Sequence, residues 1–348
     1  MINTQTNTMA TSKKKEESKN DDVLQATLDR LNKSYGSGTV IAGNQKAMEV
    51  KVVSTGSLLV DIKTGVGGLP YGRIVEVYGP ESSGKTTLCI HTMANAQKDT
   101  IDTRKVALID MEHSIHPGYM EALGVNLEDL ILSQPPYGEA ALEIAYQLIQ
   151  SKKVKVVIID SVATLIPKSE LEGECGESKM AGLGRLMSQS LRKLSPAVEA
   201  NDCLLIFTNQ LRDTPGVMYG NPERPCGGNS LKFYASIRID MRKSIDKEKE
   251  LNKTKVKIIK SKVSKPFGEC TVEILWGSGF NRMGEVIDLA EELEVFSKSG
   301  SHYSYGDQKL ANGYDNMMEF MRNNEEFYQE IEQKVLQAIN PDTVTAEK

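Results

Sequence analysis

The chain has 348 residues, a net charge of -5, 26% charged residues and 39% hydrophobic residues. That length allows a full core domain and one or two small appendages. The mild acidity argues against binding nucleic acid by bulk charge, but it leaves room for a local basic groove, because only local charge meets the phosphates.

Residues 1–20 are polar, lack the apolar stretch of a secretory signal and read as a disordered tail. Val23, Leu24, Leu28 and Leu31 recur at helical spacing, which predicts a helix over 21–34. A short strand and a polar linker follow, so 21–46 stands apart from a core at 47–281. Between Val52 and Arg242 apolar strands alternate with helices. The pattern predicts strands at 73–79, 105–110, 129–134, 154–160, 203–210 and 234–242, and helices at 85–97, 138–150 and 180–200. Continuous Val/Ile/Leu strands between helices imply an α/β fold with a mostly parallel central sheet covered on both faces. Strands at 255–263 and 270–276 come without helices between them and are predicted to extend the sheet antiparallel. Residues 282–348 read as a small α/β C-terminal domain. No run is long and apolar enough to cross a bilayer. The cysteines at 89, 175, 203, 226 and 270 show no CxxC pairing, which predicts reduced thiols in a cytoplasmic protein.

The stretch "GPESSGKTT" follows a strand, opens a helix and matches the phosphate-loop pattern. Gly79, Pro80, Glu81, Ser82, Ser83, Gly84, Lys85, Thr86 and Thr87 are therefore assigned to nucleotide phosphates. The glycines let backbone N–H groups turn inward, and the helix start adds a positive dipole. Lys85 is expected on the β/γ-phosphates and Thr86 on Mg²⁺. Asp160 ends the apolar run "VKVVIID", where a second metal-supporting carboxylate belongs. Glu112 lies just past the strand "KVALID", on the sheet edge that carries the phosphate loop, and is placed to polarise a water. Two other readings of this stretch stand beside that one. Glu112 also fits a surface glutamate, and Glu112, His113 and His116 fit a metal cluster. The histidines, however, are three apart rather than the four usual for a helical pair.

Four longer blocks carry a resemblance. They are "STGSLLVDIKTGVGGLPYGRIVEVYGPESSGKTTL", "DSVATLIPKSELEGECGESKM", "LLIFTNQLRDTPGVMYGNPERPCGGNSLKFYASIRID" and "KIIKSKVSKPFGECTVEILWGSGFNRMGEVIDL". In order and length they resemble the RecA recombinase family, over about 23–339. The resemblance implies an ATPase that depends on DNA and requires ATP and Mg²⁺. It implies a helical filament of this chain on single-stranded DNA, pairing with homologous duplex, strand exchange in recombinational repair, and stimulation of LexA-type repressor self-cleavage.

Residue by residue, it makes Lys85 and Thr86 the phosphate and metal residues, Glu112 the catalytic carboxylate and Asp160 the acidic strand end. Gln210 becomes the γ-phosphate sensor, and Lys260 and Lys262 the pair that reaches a neighbouring subunit's ATP. Tyr119, Trp276 and Gly277 fall at the adenine. DNA-binding loops are implied at 172–182 and 212–228. Met180, Arg185, Ser188, Arg192, Arg212, Gly227, Gly228 and Asn229 fall at DNA-contacting positions. Tyr35 and Val40 fall on an arm that docks on the next protomer, and Phe233 at a subunit interface.

The chain departs from the family pattern in places. His116 stands where an aspartate that contacts adenine is usual, and a neutral imidazole there can meet the amino group only through its unprotonated nitrogen. Trp276 stands where a tyrosine is usual. Pro215, Arg224, Pro225 and Cys226 alter the second loop. The stretch "NGYDN" at 312–316 is less basic than usual, and the tail lacks a long acidic run. The alternative is a regulatory ATPase of the same superfamily without strand exchange. Such a protein would lack the double glycine or the trans lysines, and both are present.

Overall fold

The computed structural model describes residues 24–34, 50–173, 182–213, 222–246 and 251–339. The chain divides into two units, 1–49 and 50–348. In the first unit, residues 24–34 form a helix, α1, matching most of the predicted one. Tyr35, Val40, Cys175, Met180, Pro215 and the terminal tails lie outside the described residues.

The second unit begins with β1 (Val52–Val53), α2 (Leu58–Thr64) and β2 (Leu69–Pro70), the two strands pairing antiparallel. Strands and helices then alternate: β3 (Ile74–Gly79), α3 (Lys85–Gln97), β4 (Lys105–Asp110), α4 (Pro117–Ala122), β5 (Leu130–Ser133), α5 (Gly138–Gln150) and β6 (Val154–Asp160). After α6 (Lys168–Leu171) and α7 (Gly182–Ala200) come β7 (Leu204–Asp213), β8 (Glu223–Pro225) and α8 (Ser230–Tyr234). The long strands β9 (Ile237–Asp246), β10 (Leu251–Ser261) and β11 (Glu269–Leu275) end in β12 (Gly279–Phe280).

The central sheet has the order β12-β11-β10-β9-β3-β7-β6-β4-β5. β9, β3, β7, β6, β4 and β5 pair parallel, while β10, β11 and β12 extend it antiparallel. This is the mostly parallel α/β fold expected. Strand alternation sorts the core into two layers. Val106, Leu108, Val156, Ile158, Leu204 and Ile206 pack on one face with Leu88 and Met93 of α3. Ala107, Ile109, Val157, Ile159, Leu205 and Phe207 pack on the other with Leu142 of α5 and Leu191 of α7. Both faces are covered, so the strands read as unbroken apolar runs.

The C-terminal elements are α9 (Arg282–Glu292), the antiparallel strands β13 (Ser297–Ser299), β14 (His302–Tyr305) and β15 (Gln308–Asn312), α10 (Tyr314–Asn323) and α11 (Glu325–Ile339). Their core, with Val286, Met317 and Val335, also takes in Leu58 of α2. A polar clasp fixes that seam. The Glu285 carboxylate accepts from Ser57 Oγ at 2.7 Å, Leu58 N at 2.6 Å and Leu59 N at 3.3 Å. A side chain of α9 thus satisfies the first free N–H groups of α2, which the helix itself cannot. Among the described residues no helix is long and apolar enough to cross a membrane.

Glu285→Ala would leave these buried donors unpaired. It should lower unfolding stability by about 3 kcal/mol in denaturant titration. A loss under about 0.5 kcal/mol, the range of a surface change, would contradict the clasp.

Candidate nucleotide and nucleic-acid site

Parallel strands deliver their C-terminal ends to one edge. Here Gly79 pairs in register with Gln210, and Asp110 with Asp160. Four strand ends therefore meet beside the start of α3. The turn into α3 needs glycine at both ends. Gly84 has φ 90°, a region L side chains rarely adopt. At Gly79 a Cβ would sit 2.0 Å from the Met241 carbonyl oxygen.

Lys85 Nζ donates to the carbonyls of Gly79 at 3.2 Å and Pro80 at 2.7 Å. Burial pulls its pKa down, and the charges of Asp160 and Glu112 oppose that. Glu81 and Ser82 are exposed, whereas Ser83 is buried. Ser83 Oγ lacks a hydrogen-bond partner among the described residues. Thr86 Oγ1 donates to Asp160 Oδ2 at 2.8 Å, and Thr208 Oγ1 to Asp160 Oδ1 at 2.6 Å. Burial pushes the Asp160 pKa up, and these two hydroxyls pull it back. A hydroxyl and a carboxylate side by side are hard oxygen donors, so the residues present fit a hydrated Mg²⁺.

Glu112 is held on two sides. Its Oε1 accepts from Ser161 Oγ at 2.5 Å and from Gln210 Nε2 at 3.1 Å. Asp110 supports the turn below, accepting from Glu112 N at 3.1 Å and Gln134 Nε2 at 3.1 Å. These bonds set Glu112 apart from the histidines. His113 is exposed, and His116 is the N-cap of α4.

A cavity of about 610 Å³ adjoins the phosphate loop. Its walls include Ser82 to Thr87, Tyr119, Trp276 and Gly277, all assigned to the nucleotide from sequence. Tyr119 Oη lies 3.0 Å from Thr87 Oγ1. Trp276 is 91% exposed, leaving its ring face free at the rim. Lys243 and Thr254 also line the cavity. Sequence reading missed them, as it missed Ser161, Thr208 and Asp110. Lys243 and Thr254 are cross-strand partners on β9 and β10, a pairing no short motif announces. Thr208 was within reach: it lies two residues before Gln210 on one strand and so shares its face.

His116 does not line the cavity. Its Nδ1 accepts the Gly118 N–H at 3.1 Å. A neutral imidazole used this way carries its proton on Nε2. It can donate to a base but cannot accept from an amino group, which reverses the role open to it from sequence.

A second group of residues gathers around the N-terminal half of α7. Arg185, Ser188 and Arg192 share one helical face by spacing, and both arginines are exposed. Gly227 and Gly228 have φ 83° and 75°, and a Cβ on Gly228 would lie 3.5 Å from Gly184 Cα. The double glycine therefore runs beside the start of α7, with Asn229 exposed next to it. β7 and β8 form an antiparallel hairpin that sets Arg212 opposite Arg224.

Lys260 and Lys262 do not line the chain's own cavity. Lys260 Nζ donates to the carbonyls of Lys232 at 2.6 Å and Phe233 at 3.2 Å, and Lys262 Nζ to Phe233 at 3.0 Å. The Phe233 side chain is 73% exposed.

Family models match almost the whole chain. The RecA N-terminal domain matches residues 22–281, and the RecA C-terminal domain matches 284–340. Protein RecA of Rickettsia bellii (strain RML369-C) is 49% identical over 315 residues, covering 89% of this chain and 91% of that protein. Protein RecA of Cytophaga hutchinsonii is 49% identical over 330 residues, covering 93% and 92%. Protein RecA of Rickettsia prowazekii (strain Madrid E) is 48% identical over 314 residues, covering 89% and 92%.

The cap at His116 has a measurable consequence. His116→Ala should weaken nucleoside triphosphate affinity about threefold to tenfold, because losing an N-cap costs roughly 1 kcal/mol in the helix that carries Tyr119. His116→Asp keeps a capping oxygen and should bind as the parent does. Equal affinities for all three chains in a titration would show that the cap is irrelevant.

Proposed function

The chain belongs to the RecA family, and from that premise we propose how its residues carry out the family's work. It is a DNA-dependent ATPase and a recombinase of DNA repair. Its substrates are ATP, single-stranded DNA and homologous duplex. It assembles with copies of itself as a helical filament on the single strand, exchanges strands, and stimulates a LexA-type repressor to cleave itself. It acts in the cytoplasm, where its DNA lies.

The single observation that carries the mechanism is the Gln210 Nε2 to Glu112 Oε1 bond of 3.1 Å. Gln210 sits on β7, the strand that runs into the second DNA loop, and Glu112 sits at the phosphate edge. One hydrogen bond therefore joins the DNA side to the hydrolytic side.

ATP phosphates rest on the N–H groups of residues 82–87 and on the positive start of α3. Lys85 moves its ammonium from the Gly79 and Pro80 carbonyls to the β/γ-phosphates. Burial makes that charge costly without an anion, so the phosphate gives the larger gain. Tyr119 and Trp276 sandwich the base. Thr86 and Asp160 would hold Mg²⁺, which when bound would neutralise phosphate charge. Glu112 orients a water in line with the γ-phosphorus and accepts its proton. Ser161 and Gln210 keep the carboxylate aimed. When Gln210 turns to the γ-phosphate, loop two moves with it and takes up DNA. Lys260 and Lys262 stabilise the developing charge on the neighbouring subunit's nucleotide.

On the DNA side, Arg185, Arg192 and Arg212 meet phosphates by charge. Ser188, Asn229 and the N–H groups of Gly227 and Gly228 add neutral donors. Met180 wedges between bases. Backbone and hydroxyl donors need no net positive charge, so an acidic chain can hold DNA.

Two experiments test this reading. Glu112→Gln should cut DNA-stimulated kcat about a hundredfold while ATP affinity stays within about threefold. An unchanged kcat would remove Glu112 from the reaction. Lys260→Ala should fold as the parent does and lose about a thousandfold in DNA-stimulated kcat, the scale of a trans-acting cation. Retained turnover would show that the lysine does not act on the neighbour.

A further inference from the structure

One polar row crosses the sheet on the face opposite the phosphate loop. It begins at Asn209, which is fully buried. Its Oδ1 accepts from Gln210 N at 2.9 Å, and its Nδ2 donates both to the Cys226 carbonyl at 3.0 Å and to Glu76 Oε1 at 3.0 Å. One amide thus spends its acceptor and both donors on three separate partners. Cys226 is the last residue before Gly227, and its own N–H donates to the Gln210 carbonyl at 3.2 Å. The seat of loop two is therefore pinned through both backbone groups of one residue.

The row continues on the next strands. Glu76, 1% exposed, pairs in register with Arg238, and Arg238 Nε donates to Glu76 Oε2 at 2.5 Å. The guanidinium lies 4.7 Å from the Tyr78 ring centroid. Arg238 in turn is the register partner of Lys260. That last step depends on a β-bulge. The ladder shifts between Ile258 and Lys260. Without the extra residue, Lys260 would share the core face of Ile258, two positions earlier. The bulge turns it to the face of Arg238 and Glu76. Burial, then the charges of Lys262 and Arg238, lower the Lys260 pKa to about 8, and the Glu76 carboxylate opposes them.

We propose that Asn209, Glu76 and Arg238 form a positioning relay that ties the seat of loop two to Lys260, so that DNA on Gly227 and Gly228 sets the placement of the lysine that acts on the neighbouring subunit. The proposal rests on the DNA role of the double glycine and the trans role of Lys260 given above. None of the three relay residues lines the cavity beside the phosphate loop. They act through Lys260 and the double glycine.

The test uses the full chain and measures ATP hydrolysis with and without single-stranded DNA, together with DNA and ATP affinity. Asn209→Ala should keep both affinities within about threefold while DNA-stimulated kcat falls about tenfold or more, as a misplaced group would cause. Stimulated kcat within twofold of the parent overturns the relay. So does a parallel loss of DNA affinity, which would make Asn209 only a support of loop two. If Asn209→Ala does not fold, Asn209→Ser is judged by the same criteria.

Glu76→Gln supplies a second readout. Removing the Glu76 anion lowers the Lys260 pKa further, so the alkaline fall of stimulated kcat should begin at lower pH than in the parent. An unmoved alkaline limb overturns the electrostatic link. Lys260→Ala separates this proposal from its premise. If that variant keeps stimulated turnover, the trans role itself is wrong. If it loses turnover while Asn209→Ala keeps it, only the relay is wrong.

Discussion

In-register parallel pairing of β3, β7, β6 and β4 is the constraint on which the site depends. It sets Gly79 beside Gln210 and Asp110 beside Asp160 at one edge of the sheet. A one-residue slip of any strand would turn its end group to the other face. The two packed faces prevent that slip, because each strand alternates between two separate cores. The chemistry at the edge is thus held by apolar burial several residues away.

The same alternation divides the labour of β7. Thr208 and Gln210 face the phosphate loop and bond Asp160 and Glu112. Asn209, between them, faces the other way and bonds Glu76 and Cys226. One strand tip therefore touches Glu112, Asp160 and Cys226. Burial makes each of these polar groups depend on its partner, since an unpaired one would carry its full desolvation cost. A change at one is felt at the others for that reason.

Much of this was legible in the sequence. The phosphate loop, Glu112 and Asp160 stood out because strand ends and a glycine-rich turn leave local signatures. The boundaries predicted for α3, β4, α5 and β6 match the structure, since their apolar patterns are short-range. Other features escaped for physical reasons. β9 begins at Ile237 rather than 234 because the preceding residues form α8, and it runs on to Asp246 as an arm paired with β10. Paired arms of that kind can be polar, and polar residues hide a strand. The clasp of Glu285 on α2 joins residues far apart in the chain, and periodicity carries no trace of it. His116 was read as a base contact because of its position. Its capping bond to Gly118 depends on backbone geometry that spacing alone does not give.

A recombinase of this family must move DNA strands, which a nucleotide-switched regulator does not. The most direct measurement is strand exchange between a circular single strand and a homologous linear duplex, with ATP, with ADP and without nucleotide. Exchanged product is expected with ATP, and little or none in the other two reactions. DNA-stimulated ATP hydrolysis with no exchanged product would contradict the recombinase role.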